Sequence, residues 1–387
     1  MVVQFQAIQK IIFGSPGTGK SYRIAGIARE KLSIEFDEVT KTLSNTVKTV
    51  FHPEYTYSDF MGKLLPLTYG GNVIYKYYPG HFLQALGMAY KNLLEGKNDN
   101  CLLVIDELNR GNAAAIFGSV FQLLDREEDD WSSYELDVSE MELVGLFNVM
   151  GHKANISNDG LIQVDGSNFH IFTRDLKARL QENSNTNGLR LLKNLENRKI
   201  NIPPNLSIIA TINTSDESIY YLDSAFKRRW DWEYIDAPNE DGIEDDNSIT
   251  DALLKVKLIL EDGRKLDWCR CVIGINEFIK KNHNVIRKIE DKQIGWWFIK
   301  AKNHEITLEQ VQDKLMFYLW DGVFARNKQA LNKFIEEQLN KKKVKLVTFA
   351  DFLTYTSDLL EYCHNSIDAA KIPKINDNEE IEGDLSE

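Results

Sequence analysis

The chain has 387 residues, 43% of them hydrophobic, and carries a formal net charge of −12. That length suits two ordinary domains, and the acidic balance argues against a surface built throughout to hold DNA, while leaving room for a local basic patch. No apolar run is long enough for a membrane helix, and four cysteines in so long a chain do not make a disulfide framework.

In chain order, the first decisive stretch is Gln9 to Ile27, QKIIFGSPGTGKSYRIAGI. Ile11-Ile12-Phe13 is a short apolar run suited to a buried strand. Gly14-Ser15-Pro16-Gly17-Thr18-Gly19-Lys20-Ser21 follows, and a helical pattern begins after it. This is the G-x-x-x-x-G-K-[ST] phosphate loop in its strand-loop-helix setting. Glycines let successive backbone N–H groups turn toward an anion with no Cβ in the way. The helix N-terminus adds its positive dipole end. Lys20 is expected to reach the β/γ-phosphates, and Ser21 to give an oxygen to Mg²⁺. Only about a dozen residues precede the loop. A nucleotide-binding domain is therefore expected to start at or near residue 1, with no recognition domain upstream. MVVQFQAIQK lacks the shape of a signal peptide, so a cytoplasmic protein is expected.

Residues 22–32 read as a helix and 47–51 as a short strand. The aromatic-rich stretches at 52–60 and 73–82 suit core or hairpin packing. Residues 82–94 show helical spacing. Cys101 to Glu107, CLLVIDE, is the second decisive stretch: an apolar run fit for a strand buried on both faces of a parallel sheet. It ends in two carboxylates at the carboxyl edge, where open α/β sheets bind ligands. Asp106 is expected to hold Mg²⁺ and Glu107 to polarise the attacking water. Residues 113–124 read as a helix. Residues 131–200 are polar, with turn signals at 158–160 and 183–188, and read as an insertion on one rim. Hairpin strands are expected within 161–172 and a short helix over 173–180.

Leu206 to Asn213 is a further buried strand with a polar end. Asn213 suits holding the lytic water or the γ-phosphate, with Asp216 to orient it; closing a turn is the plainer alternative. Arg228 and Arg229 follow. They form either a solvated basic face or guanidiniums that reach a neighbouring subunit's γ-phosphate. The acidic, Pro-bearing stretch at 237–247 is the expected domain boundary. Beyond it, helices are expected at 249–261, 272–283, 308–320, 328–339 and 349–363. The domain reading is 1–240 for the α/β domain, 241–365 for a smaller helical lid, and 366–387 for an acidic disordered tail. The pairs Cys269/Cys271 and Cys363/His364 fit no common zinc spacing.

The order of these pieces resembles the AAA+ ring motors. The wording of GSPGTGKS, FHPEYTYSDFMGKLLP, YYPGHFLQAL, VIDELNRGN, IIATINTSDESI, LDSAFKRRW and, at 293–299, QIGWWFI resembles one branch, the McrB-like motors of restriction systems. The resemblance implies an α/β AAA+ parallel sheet flanked by helices, with a helical lid. It implies a nucleoside-triphosphatase using ATP or GTP with Mg²⁺, ATP being favoured. It implies a hexameric ring of identical subunits, a separate McrC-like nuclease subunit, and DNA engaged through the complex. By position Asn213 is the sensor, Asp216 its companion, Arg228 or Arg229 the trans-acting finger, and Asn109-Arg110 the segment that senses the nuclease. The lid segment has Trp296-Trp297 and no arginine at the usual second-sensor place, which leaves that role unassigned. The alternative is a MoxR-type ATPase that remodels a protein complex.

Overall fold

The computed structural model describes residues 5–213, 220–240, 250–341 and 344–373. Asp216, most of the acidic stretch at 237–247, Lys342–Lys343 and residues 374–387 lie outside them. The chain divides into two compact units: Met1–Ile12, Ser21–Ile212 and Glu217–Glu233 in one, and Phe13–Lys20, Asn213–Asp216 and Tyr234–Glu387 in the other.

The first unit is built on a five-stranded parallel sheet. Its strands are β1 (Gln9–Gly14), β2 (Thr46–Val50), β3 (Cys101–Asp106), β4 (Leu206–Asn213) and β5 (Asp231–Ile235). They lie in the order β5-β1-β4-β3-β2. β3 is an interior strand flanked by parallel partners, with Ala210 opposite Ile105 on one side and Val50 opposite Asp106 on the other. A strand buried on both faces must be apolar throughout, and Cys101 through Ile105 are each at most 3% exposed. Helix α1 (Lys20–Glu30) follows the phosphate loop as its strand-loop-helix setting predicts, and α2 (His81–Leu94) forms where apolar spacing predicts a helix.

The aromatic-rich stretch folds as a hairpin, with Gly62–Tyr69 against Asn72–Pro79. Residues 113–124 are less regular than expected: an α-helix over Ala113–Phe117 gives way to a 3-10 helix at Gly118, whose backbone is left-handed (φ +47°).

The region 131–200 is more ordered than its polarity suggested. A helix over Glu140–Val149 was not expected. Its Ser139-x-x-Glu142 capping box is a readable start signal, with Ser139 N–H donating to Glu142 Oε2 at 2.7 Å. Three short strands and a helix over Phe169–Glu182 follow, longer than the one expected. The Asn-rich turn at 183–188 is a helix start: Asn185 Oδ1 accepts from Gly188 N–H at 2.8 Å and caps Thr186–Glu196.

The second unit has its own core, around α3 (Trp268–Lys281) and α4 (Thr356–Asn365). The two helices meet closely at Gly274, where a Cβ would stand 2.1 Å from the Cys363 carbonyl oxygen. Cys269, Cys271 and Cys363 are buried thiols in this core. The helix expected over 249–261 is corrected. Among the described residues of that stretch only Asp251–Leu254 is helical, and Lys257–Ile259 is a strand paired with Lys265–Asp267 across a turn at Gly263, where φ is +82°. That turn takes a backbone conformation glycine adopts freely, and the hairpin it permits outweighs helical spacing.

Candidate functional site

In the first unit, the end of β3 carries the two candidate carboxylates. Thr211 on β4 accepts from the backbone N–H of Glu107 at 3.1 Å, and its hydroxyl donates to Asp106 Oδ1 at 3.1 Å. Thr211 is only 4% exposed. One side chain thus fixes the carboxylate orientation of Asp106 and the backbone of Glu107. The second constraint matters because Glu107 is left-handed (φ +56°). A non-glycine residue there costs of order 1 kcal/mol or more and persists only when its surroundings hold it. The left-handed turn ends the strand abruptly and starts the 3-10 turn Leu108–Arg110. On the other side of β3, Lys48 of β2 places its ammonium 3.1 Å from Asp106 Oδ2. A cation therefore already faces this carboxylate.

Asn109 is 3% exposed and its carbonyl accepts from Tyr220 N–H at 2.8 Å, whereas Arg110 is exposed. The two arginines after β4 are not equivalent. Asp223 caps the short helix Ser224–Lys227, through Phe226 N–H to Asp223 Oδ1 at 2.6 Å. Past its end, Arg228 is exposed. Arg229 is folded inward at 10% exposure. It pairs with Asp125 at 2.6 Å, donates to Ala225 O at 2.9 Å, and lies 4.1 Å over the Phe121 ring. The basic face expected of this pair reduces to Arg228. Ser21 is exposed on the first turn of α1.

The phosphate loop falls in the second compact unit. Gly17 and Gly19 have φ of +78° and +83°, conformations that a side chain would disfavour. Thr18 Oγ1 donates to Ser15 O at 2.8 Å, and Lys20 Nζ donates to the carbonyls of Gly14 (2.8 Å) and Ser15 (3.0 Å). These bonds curl Gly14-Ser15-Pro16-Gly17-Thr18-Gly19-Lys20 into a cradle. Gly295 N–H donates to Pro16 O at 2.9 Å and Trp297 N–H to Gly17 O at 3.0 Å. Asn213 ends β4, and Asp216 lies outside the described residues.

Sequence reasoning missed Thr211, Lys48 and the Gly295–Phe298 contacts. A signal existed for Thr211: it is a polar residue two before Asn213, and so on the same face of the strand. Lys48 sits in a strand too short to read as functional.

No family model matches the chain. It is 28% identical over 347 residues to a Bacillus subtilis (strain 168) protein named type II restriction enzyme BsuMI component YdiS, covering 82% of this chain and 80% of that one. It is 28% identical over 127 residues to the type IV methyl-directed restriction enzyme EcoKMcrB subunit of Escherichia coli (strain K12), covering 32% of this chain and 24% of that subunit. A solved structure of a candidate ATPase from Cytophaga hutchinsonii aligns over 88% of this chain and 86% of that one, at 11% identity and a TM-score of 0.25, and no argument rests on it. Among the described residues no helix is long and apolar enough to cross a membrane. The order of the motifs, the order of the strands and the two restriction-component relatives make this chain similar to the McrB-like AAA+ proteins.

Proposed function

We propose that the chain is a Mg²⁺-dependent nucleoside-triphosphate hydrolase, the ring motor of a DNA restriction complex. Its hydrolysis would stimulate or power a separate, McrC-like nuclease subunit. The observation that carries the reading is the clamped acid pair: Asp106 and Glu107 stand at the end of the interior strand β3, and Thr211 holds both.

The residues fit a magnesium nucleotide. Two left-handed glycines let the loop backbone curl, and Asp106 already attracts a cation. Gly14 to Ser21 would bind the phosphates, with Lys20 exchanging the carbonyls of Gly14 and Ser15 for phosphate oxygens. Asp106 and Ser21 would hold the metal, Asp106 by releasing Lys48. Bound Mg²⁺ supplies neutralisation of charge developing on the phosphoryl oxygens. Glu107 would orient water and receive its proton. Asn213, with Asp216 as its companion, would position that water or the γ-phosphate. Arg228, exposed where Arg229 is engaged, would reach the phosphates of a neighbouring subunit. A nuclease contact at the 109–110 segment falls on Arg110, because the Asn109 side chain is buried.

The wording of the motifs and the printed names of both relatives support a restriction role. A self-assembled ring, most simply a hexamer, in the cytoplasm, with DNA engaged through the complex, follows from that reading. The superfamily's usual nucleotide favours ATP over GTP. The test is turnover of ATP and GTP side by side, with and without a McrC-like nuclease subunit from the same source. Turnover of one nucleotide, raised by that nuclease, is expected. Absence of turnover with either nucleotide in both conditions overturns the proposal.

A further inference from the structure

The segment Gln293 to Ile299 is an irregular strip that turns at Trp296-Trp297, where Phe298 N–H donates to Gly295 O at 3.2 Å. Ile294 and Trp296 point into the core of the second unit and are 0% and 2% exposed. Asn276 grips Ile294 from both sides, Nδ2 to its carbonyl at 2.9 Å and Oδ1 from its N–H at 2.8 Å. Trp268 Nε1 donates to the Trp296 carbonyl at 2.9 Å. Gly295, Trp297 and the backbone of Phe298 lie against the phosphate loop.

The contact on that face is backbone to backbone. Gly295 N–H bonds Pro16 O, and Trp297 N–H bonds Gly17 O. Upstream, the Ser15 hydroxyl donates to the Glu290 carbonyl. The approach is too close for side chains. A Cβ on Gly295 would lie 2.1 Å from the carbonyl carbon and oxygen of Gly17, and one on Gly17 would lie 2.5 Å from Phe298 N. A Cβ on Gly19 would lie 3.0 Å from the Trp297 ring.

These bonds have a directional consequence. In a trans peptide the C=O and the following N–H point opposite ways. Tying the carbonyls of Pro16 and Gly17 to the strip turns the N–H groups of Gly17 and Thr18 away from it. Glycine-rich backbone has many conformations to lose, and the strip removes that freedom before any anion arrives.

We infer that Gly295–Phe298 is a peptide clip that preorganises the phosphate loop, and that Trp297 is the positioning residue through which the loop and the helical core of this unit move together. The clip occupies the segment that lacks a second-sensor arginine, and it does its work through backbone and an indole. The inference rests on the reading of the loop as a triphosphate site.

The experiment uses the full chain and fluorescently labelled ATP and GTP. Wild-type protein binds one of them with Mg²⁺, and its intrinsic tryptophan emission changes on binding. Trp297→Phe keeps binding within about threefold and loses most of that emission change. Gly295→Ala, with its Cβ driven into Gly17, weakens binding at least tenfold while keeping its thermal transition. Wild-type affinity in Gly295→Ala, or an undiminished emission change in Trp297→Phe, overturns the clip. Should Gly295→Ala melt early, the Trp297→Phe signal alone decides. No binding of either nucleotide by the wild type removes the triphosphate reading and the clip with it; binding with an unaffected Gly295→Ala removes only the clip.

Discussion

Thr211 Oγ1 bonds Asp106 Oδ1 and the Glu107 backbone N–H, at 3.1 Å each, so one buried hydroxyl on β4 serves both acids at the end of β3. Replacing Thr211 by valine keeps the shape and removes both bonds, leaving buried polar groups unpaired at a cost of about 1–3 kcal/mol. Thr211→Val should lower the melting temperature and reduce Mg²⁺-dependent nucleotide binding and turnover. Thr211→Ser should restore both, because it keeps the oxygen. A serine variant as impaired as the valine would show that the methyl group, and not the hydroxyl, matters.

On the proposed reading, Lys48 competes for the carboxylate that would hold the metal. It is 58% exposed, so its pair with Asp106 is worth about 0.2–1 kcal/mol. Lys48→Ala should therefore tighten the apparent Mg²⁺ requirement for nucleotide binding by up to about fivefold, read by titrating the metal at fixed labelled nucleotide. A weaker requirement for the lysine protein than for the alanine one would mean that Lys48 itself binds phosphate.

The two arginines separate by stability. Arg229→Ala strands Asp125 and empties a mostly buried site, and should cost about 3–5 kcal/mol with a clear drop in melting temperature. Arg228→Ala should melt like the wild type yet lose turnover by about 10³-fold or more, the scale of a trans-acting guanidinium. Mixing Arg228→Ala with Glu107→Gln subunits should recover part of the activity, since each supplies what the other lacks. Failure of that mixture to recover activity would argue against an inter-subunit site.

Glu233 ties β5 to β1 and α1. It bonds Lys10 at 2.6 Å and pairs with Arg23 as well. Burial alone would push its carboxyl up, but hydrogen bonds from Arg23 and then Lys10 outweigh this and hold it below its ordinary value of 4.5. A carboxylate depressed in the folded state adds stability above its unfolded pKa, and that stability is lost as pH falls through the folded one. Glu233→Gln should thus lower the melting temperature at pH 7 and narrow its gap from the wild type below pH 4.5. Thermal melts from pH 3 to 7 check this, and a gap constant across that range would contradict it.

What could be read from sequence divides by the kind of physics involved. β1, β3 and β4 were legible because strands buried on both faces must be continuous apolar runs. The phosphate loop was legible because its chemistry is local: glycines, a lysine and a helix start in a fixed order. Lys257–Ile259 was misread as helix, because its pairing with Glu305–Thr307 joins residues far apart in sequence. Trp297 was visible only as a missing arginine, since the loop it touches lies some 280 residues away. Within 131–200 the helix over Thr186–Glu196 was missed because asparagines that cap helices resemble asparagines that make loops.

The most direct measurement is a paired assay of the Glu107→Gln protein: equilibrium binding of labelled ATP and GTP with Mg²⁺, and release of phosphate from the same samples. The account predicts binding within a few-fold of wild type and phosphate release reduced to background, because the loop that holds the nucleotide is intact and the group that activates water is gone. Undiminished phosphate release from that protein would contradict it.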